Sequence, residues 1–364
     1  MSETRLTIRG LRAVGVEVPM RHALGTSQAV VRAAPLLLVD LETEEGITGR
    51  AYLFCYVPSA AAAIASVLAE IEAAVKGERV APVDLWKKLA RRYTLIGVQG
   101  IVRMAMAAVD VAGWDALAIA LGQPLAALLG GAPRPIRAYN SNGLGLMERG
   151  ALAAEAEELV EGGFEGVKLR LGYATLAEDI AAVRAVRKRI GEAVALMVDY
   201  NQALSVAEAL ERGRALDGEG ITWLEEPIRH DDYRGSAKVA ASVTTPVQIG
   251  ENFSLVHSME QALEADACDL VMPDLERIGG VTGWQRAAAL ASARGIGMSS
   301  HLFPEVSAHL LAVTPTAHWL EYVDWAAPIL AEPMRIEKGM ALPSARPGNG
   351  LAWNDEAVKR YRMS

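Results

Sequence analysis

Five acidic residues and one histidine recur in the second half of the chain at intervals close to one strand-plus-helix unit. Asp199, Glu225, Glu251, Asp274, His301 and Glu321 are separated by 26, 26, 23, 27 and 20 residues. Each closes a short apolar run: VALMVD, ITWLE, VQIGE, LVMPD, GIGMSSH and HWLE. In a barrel of alternating strands and helices, such residues stand at the C-terminal ends of successive strands, where barrel enzymes keep their active sites. A single carboxylate in that place is usually a helix cap or a solvated rim charge. Six ionisable groups in phase are costly to crowd together unless something binds them.

A cation would do so. Asp199, Glu225 and Glu251 offer three hard oxygen donors, a set that favours Mg²⁺ (with Mn²⁺ as a substitute) over zinc or copper and leaves positions open for substrate and water. Asn201, two residues past Asp199, carries an amide able to polarise a substrate oxygen, or else serves as a turn residue. Asp274 and His301 fall on adjacent strands. A carboxylate on one imidazole nitrogen fixes the tautomer and raises the basicity of the other, which makes His301 the candidate base. The other histidines, at 22, 230, 257, 309 and 318, lack that placement. Glu321, one unit later, suits a protonated carboxyl that donates to a developing enediolate oxygen. Together these parts are what removal of a weakly acidic α-proton from a carboxylate requires.

The elements that must position them read as two blocks. Residues 6–18 and 35–41 alternate as strands do, with a turn at 44–46. Helical patterns follow near 59–75, 83–93 and 100–121, with Gly122 as a stop. This is an α+β domain over residues 1–130. From 131 to 323, short apolar runs alternate with helices such as 176–190, 205–216 and 283–293, giving eight βα units and a parallel barrel. The first two runs end near Ser141 and at Lys168-Leu169-Arg170. Residues 324–364, broken by Pro and Gly, are expected to run back over the first domain.

At 364 residues, with 51% hydrophobic and 22% charged residues, the chain can bury a large core. A net charge of −8 gives no general attraction for nucleic acid or anionic lipid. Cys55 and Cys268 suggest neither a disulfide framework nor a zinc site. The N-terminus lacks an apolar signal core, and the alanine-rich stretches read as helix faces rather than membrane spans, so a cytoplasmic setting is expected.

The residues now resemble mandelate racemase and its relatives in the enolase superfamily. The likeness runs nearly end to end and is densest in MVDYNQ (197–202), TWLEEP (222–227), GEN (250–252), MPD (272–274), IGGVTGW (278–284), MSSHLF (298–303) and SAHLLAVTPTAHWLE (307–321). It implies Asp199, Glu225 and Glu251 as Mg²⁺ ligands, Asp274–His301 as a dyad base and Glu321 as the electrophilic acid. It further implies Ser141 and Asn201 on the substrate carboxylate and α-hydroxyl, and Phe54, Tyr56, Leu302 and Val323 in an apolar wall. By the same likeness the first domain caps the barrel, residues 24–31 beginning at Leu24 form a mobile loop over the site, and the chain assembles as an octamer.

The likeness breaks at the second barrel strand. The racemase pattern is Lys-x-Lys, whose second lysine is a base on the opposite face. Lys168 matches the first lysine, but Arg170 stands where the base belongs, and freeing a guanidinium lone pair at neutral pH costs about 7 kcal/mol or more. Arg170 is then a sluggish base, a cation for a second polar group of the substrate, or a barrel-lining arginine paired to a carboxylate. The capping loop also departs, carrying Arg21, His22 and Gln28 where the racemase loop is mostly apolar.

Two enzymatic readings follow. A racemase or epimerase of a small 2-hydroxy carboxylate is favoured, narrowly, by the extent of the likeness. An acid-sugar dehydratase, with His301 as sole acid and base, is favoured by Arg170 and the polar loop. A barrel that only binds a metal and a carboxylate is the alternative of another class, and the complete dyad argues against it.

Overall fold

The computed structural model describes residues 5–27 and 29–363. Three antiparallel strands open the chain: β1 (Ile8–Gly25), β2 (Val30–Thr43) and β3 (Thr48–Phe54). The β1–β2 hairpin is longer than the alternation suggests, because its polar outer half continues the pairing as far as Gly25↔Val30. Three helices follow, α1 (Pro58–Val75), α2 (Pro82–Arg92) and α3 (Gly100–Ala120); α1 and α3 pack on the sheet, and α2 packs on α3. Contrary to the expectation from sequence, α1 has the length and composition of a membrane span. Its stripe of Ala61, Ile64, Leu68, Ile71 and Val75 is buried, and the helix packs on α3 and β1.

A one-turn helix, α4 (Leu125–Leu128), leads into the barrel. The barrel runs β4 (Ile136–Asn140), α5 (Arg149–Val160), β5 (Gly166–Arg170), α6 (Leu176–Ile190), β6 (Ala195–Asp199), α7 (Val206–Leu216), β7 (Leu224–Glu225) and α8 (Tyr233–Ala240). It continues with β8 (Val247–Ile249), α9 (Leu255–Glu264), β9 (Leu270–Val271), α10 (Leu275–Ile278), α11 (Gly280–Arg294), β10 (Gly297–Met298), α12 (Pro304–Ala312) and β11 (Leu320–Tyr322). Strands β4 to β10 pair in parallel, each with the next. β11 pairs β4, and a bridge at Met298↔Ala317 joins β10 to the segment before β11, closing the ring.

Local chemistry sets the helix starts. Thr175 with Glu178 and Ser205 with Glu208 form complete capping boxes for α6 and α7. The two blocks meet along α3, whose Asp110 accepts from both the N–H and the hydroxyl of Thr282 near the start of α11. The last residues divide. β12 (Arg335–Glu337) and β13 (Met340–Leu342) form a hairpin on β4, while α13 (Asp355–Tyr361) packs on β1.

His309 in α12 is fully buried, and its Nδ1 accepts from the Ala126 N–H at 3.3 Å. Burial pushes its pKa down to about 4. Its contribution is therefore complete above about pH 6.5, the unfolded value, and is lost as pH falls toward the folded one, by about 3 kcal/mol in all. We expect His309→Asn to lose less of its melting temperature than the parent between pH 7 and pH 5. Parallel melting curves would refute this.

Candidate active site

The strand-end residues converge at one end of the barrel. Ser141, Lys168, Arg170, Asp199, Glu225, Asp274, His301 and Glu321 are all buried. His301 follows β10, and its Nδ1 lies 2.6 Å from Asp274 Oδ2. The other oxygen of Asp274 accepts from the N–H groups of Glu276 (2.8 Å) and Arg277 (3.1 Å). Asp274 is thus both the cap of α10 and the partner of His301. An ionised carboxylate only accepts, so the proton on that side sits on Nδ1, and Nε2 points into the site. There Nε2 meets Glu251 Oε2 at 3.2 Å and Glu321 Oε2 at 3.9 Å. Burial alone would lower the His301 pKa, but Glu251 and Glu321, with the Asp274 hydrogen bond, hold it well above the usual value.

The acids are close, but they do not share one focus. Among the described residues, no three carboxylate, imidazole or thiol groups already converge on a cation-sized point. The reason is Lys168, whose ammonium lies 2.6 Å from Glu225 Oε1, 2.8 Å from Glu321 Oε1 and 3.5 Å from Asp199 Oδ2. Glu251 turns instead to His301 and, at 3.7 Å, to Arg277. The donor chemistry still suits a hard divalent ion. Asp199 and Glu225 sit in register on neighbouring strands, and burial pushes Glu225 up to about 8 despite Lys168, a sign of too little positive charge. Trp223 supplies one further donor, its indole N–H at 2.9 Å from Glu225 Oε2.

Glu321 sits among donors. It accepts from Lys168, from the Ser141 hydroxyl (2.7 Å) and from the Leu302 N–H (2.9 Å). Burial would raise its pKa, but Lys168 and then His301 outweigh that and hold it at about 2. Arg170 departs from the reading that pairs it with a carboxylate. Its Nη1 donates to the carbonyls of Ser141 (2.7 Å) and Gly143 (2.8 Å), and its Nη2 to the Ser141 hydroxyl oxygen (2.8 Å). Among the described residues no carboxylate pairs with it. The guanidinium stitches the loop after β4 and turns the Ser141 proton toward Glu321.

Asn201 is reversed. Its Nδ2 donates to Asp199 Oδ2 at 3.0 Å, a contact that only the NH₂ end can make. The orphaned atom is Oδ1, a buried acceptor. Asn201 therefore offers the site a free acceptor for a hydroxyl proton beside the second N–H of its amide.

The apolar wall is present in part. Phe54, Leu302 and Val323 are buried, with Phe54 against Tyr56 (4.4 Å between centroids) and Trp325 (5.0 Å). Tyr56 is partly exposed and lies under the Arg277 guanidinium, 4.9 Å from its ring centre. Leu24 pairs with Val31 near the hairpin end. That hairpin docks on the barrel: the Gly25 carbonyl accepts from the Leu146 N–H (3.1 Å) and the Ser27 hydroxyl donates to the Tyr200 carbonyl (3.3 Å). Arg21 pairs with Glu158, and His22 lies between Glu155 (3.5 Å) and Glu158 (3.6 Å) on α5. These loop charges hold the hairpin down, so they carry no argument about substrate. Gln28 lies outside the described residues.

Sequence reasoning passed over Arg277, which donates to the Glu251 carbonyl (3.1 Å) and to Asn252 Oδ1 (2.7 Å). Its place three residues past Asp274 was the available signal. Backbone torsions mark the same rim. Tyr56, Leu144, Asn201, Gln202, Glu226, Leu302 and Phe303 all take φ between 35° and 65°, each just beyond a strand end.

Residues 8–130 match the mandelate racemase / muconate lactonizing enzyme N-terminal domain, and residues 151–357 match the enolase C-terminal domain-like family. The chain belongs to the enolase superfamily. It is an enzyme of the mandelate racemase / muconate lactonizing enzyme group, with an α+β domain before a (β/α) barrel. Among relatives of this group, L-talarate/galactarate dehydratase of Salmonella typhimurium is 31% identical over 303 residues, 81% of this chain and 75% of that protein. A crystal structure of an enolase from alpha pretobacterium bal199 with bound Mg superimposes with a TM-score of 0.96 at 46% identity, covering 98% of this chain and all of that one. An enolase from Bradyrhizobium complexed with magnesium and mandelic acid gives 0.96 at 40%, covering both chains completely.

Proposed function

We propose that this enzyme removes the α-proton of a 2-hydroxy carboxylate from one face only, with His301 as base, and expels the β-hydroxyl of an acid sugar. The observation that carries this reading is the Arg170 guanidinium. It is committed to two carbonyls and a hydroxyl at the position where a second base would stand. Asp199, Glu225 and Glu251 would hold Mg²⁺. That ion would gather the substrate carboxylate and make its α-hydrogen more acidic.

Each remaining role belongs to the chain. With the Glu251 carboxylate committed to a cation, His301 Nε2 loses the acceptor that holds it protonated, and Asp274 keeps the ring aimed. Nε2 then takes the α-proton, the C–H electron pair forms the new double bond, and the β-carbon–oxygen bond breaks. The imidazolium returns its proton to the departing hydroxide as water, and the enol becomes a 2-keto-3-deoxy acid. Lys168 faces the developing negative charge. Asn201 Oδ1 accepts from a substrate hydroxyl.

Racemisation is the second reading, supported by the mandelic acid bound to the Bradyrhizobium relative across a full-length match. A screen of acid sugars and aromatic 2-hydroxy acids in D₂O separates the two. We expect 2-keto-3-deoxy acid from at least one acid sugar. Deuterium at Cα of both enantiomers of a hydroxy acid, without any 2-keto product, would reverse the order.

Arg170→Lys gives a second measurement. One ammonium cannot span two carbonyls and a hydroxyl, so the variant should be destabilised by about 2 kcal/mol and gain no second-face exchange. Faster racemisation in this variant would place residue 170 on the second face after all.

A further inference from the structure

The Trp223 indole is buried completely, two residues before Glu225 and on the same side of the strand. Its ring belongs to a floor of side chains, with Tyr139, Met197 and Trp319, that fills the barrel below the charged layer. Trp223 packs edge-on against Tyr139 at 5.4 Å and lies 5.9 Å from the His318 ring. Packing explains the ring but not the direction of its single polar atom. The indole N–H takes Glu225 Oε2 at 2.9 Å, while Lys168 holds Oε1 at 2.6 Å. Turning the carboxylate away would strand a buried donor. The two oxygens of Glu225 therefore differ: Oε2 is tied to the floor, and Oε1 lies in the layer where Lys168, Asp199 and Glu321 meet.

We propose that Trp223 is a positioning residue for the cation site. It locks Glu225 so that one oxygen alone is offered to the ion, and so helps set the preference for Mg²⁺ over a larger cation. The inference rests on the reading of Glu225 as a ligand of that ion. Mg²⁺ demands strict geometry and takes one oxygen per carboxylate readily, whereas Ca²⁺ accepts carboxylates through both oxygens and tolerates irregular sites. Donors that orient a ligand are worth about 10- to 100-fold in metal affinity.

The test is calorimetric titration of the full-length protein with Mg²⁺ alone and with Ca²⁺ alone, for the parent and for Trp223→Phe, Glu225→Gln and Met197→Leu. We expect Trp223→Phe to weaken Mg²⁺ binding by about 10-fold or more and Ca²⁺ binding less, so that the ratio moves toward Ca²⁺. Met197→Leu, a packing change in the same floor, should shift the melting temperature without moving the ratio. If Glu225→Gln weakens Mg²⁺ binding while Trp223→Phe leaves affinity and ratio unchanged, the Trp223 inference falls and the ligand assignment stands. If Glu225→Gln binds as the parent does, the ligand assignment falls and takes the inference with it. A melting-point loss in Trp223→Phe that matches Met197→Leu, with the ratio unmoved, reduces Trp223 to packing.

Discussion

His301→Asn is expected to lower turnover by about 10³-fold while leaving the fold intact. The asparagine can still donate to Asp274, which keeps its own bonds to the N–H groups of Glu276 and Arg277. What disappears is Nε2, the imidazole atom that faces the cluster of acids. The measurement is release of the label from α-deuterated substrate into solvent, which reports proton removal whatever the later step. Asp274→Asn should cost a comparable factor for another reason. An amide NH₂ facing Nδ1 forces the proton onto Nε2, the wrong tautomer for a base. Undiminished exchange in His301→Asn would require a different base and would overturn the dyad assignment.

Gly49→Ala is expected to cost on the order of 3 kcal/mol or more, because it overpacks a contact that cannot relax. A β-carbon on Gly49 would fall 1.9 Å from the Ala112 carbonyl oxygen and 2.7 Å from the Ala116 nitrogen. Both are backbone atoms of α3, so no rotamer change makes room, and β3 must separate from the helix. The damage would spread to the barrel, since α3 also carries Asp110, which holds Thr282, and Trp114, whose indole N–H donates to the Thr282 hydroxyl at 3.0 Å. A drop of roughly 4 °C in melting temperature should follow. A variant melting with the parent would mean that β3 and α3 are not in such close contact.

The barrel was legible because its strands are fully buried and end in charge. A run such as ALMVD, followed one helix later by TWLEEP, leaves little choice of register, and phase alone brought Asp199 beside Glu225. The dyad was legible for the same reason. What eluded the sequence was the direction of donors. Lys168 as the cation at the centre of the acids depends on strand stagger, which spacing along the chain does not express. Spacing places Glu321 at a strand end but does not show that Lys168, the Ser141 hydroxyl and the Leu302 N–H all donate to it. Arg170 looked like a misplaced base until its carbonyl partners were known, and loop carbonyls leave no mark in sequence. Arg21 and His22 misled because a docked loop and a substrate-binding loop use the same polar side chains.

The left-handed residues around the rim have an engineering consequence. Bulky side chains such as Leu302 and Phe303, at φ of 51° and 50°, hold conformations that cost of order 1 kcal/mol or more each. Glycine would adopt the same torsions without penalty, although it adds freedom to the unfolded chain. A search for heat-tolerant variants is thus steered toward the rim, where relief of strain also erodes the wall around the substrate. Robustness gained there would be exchanged for selectivity, while improvements to the helices and loops at the opposite end of the barrel carry no such exchange.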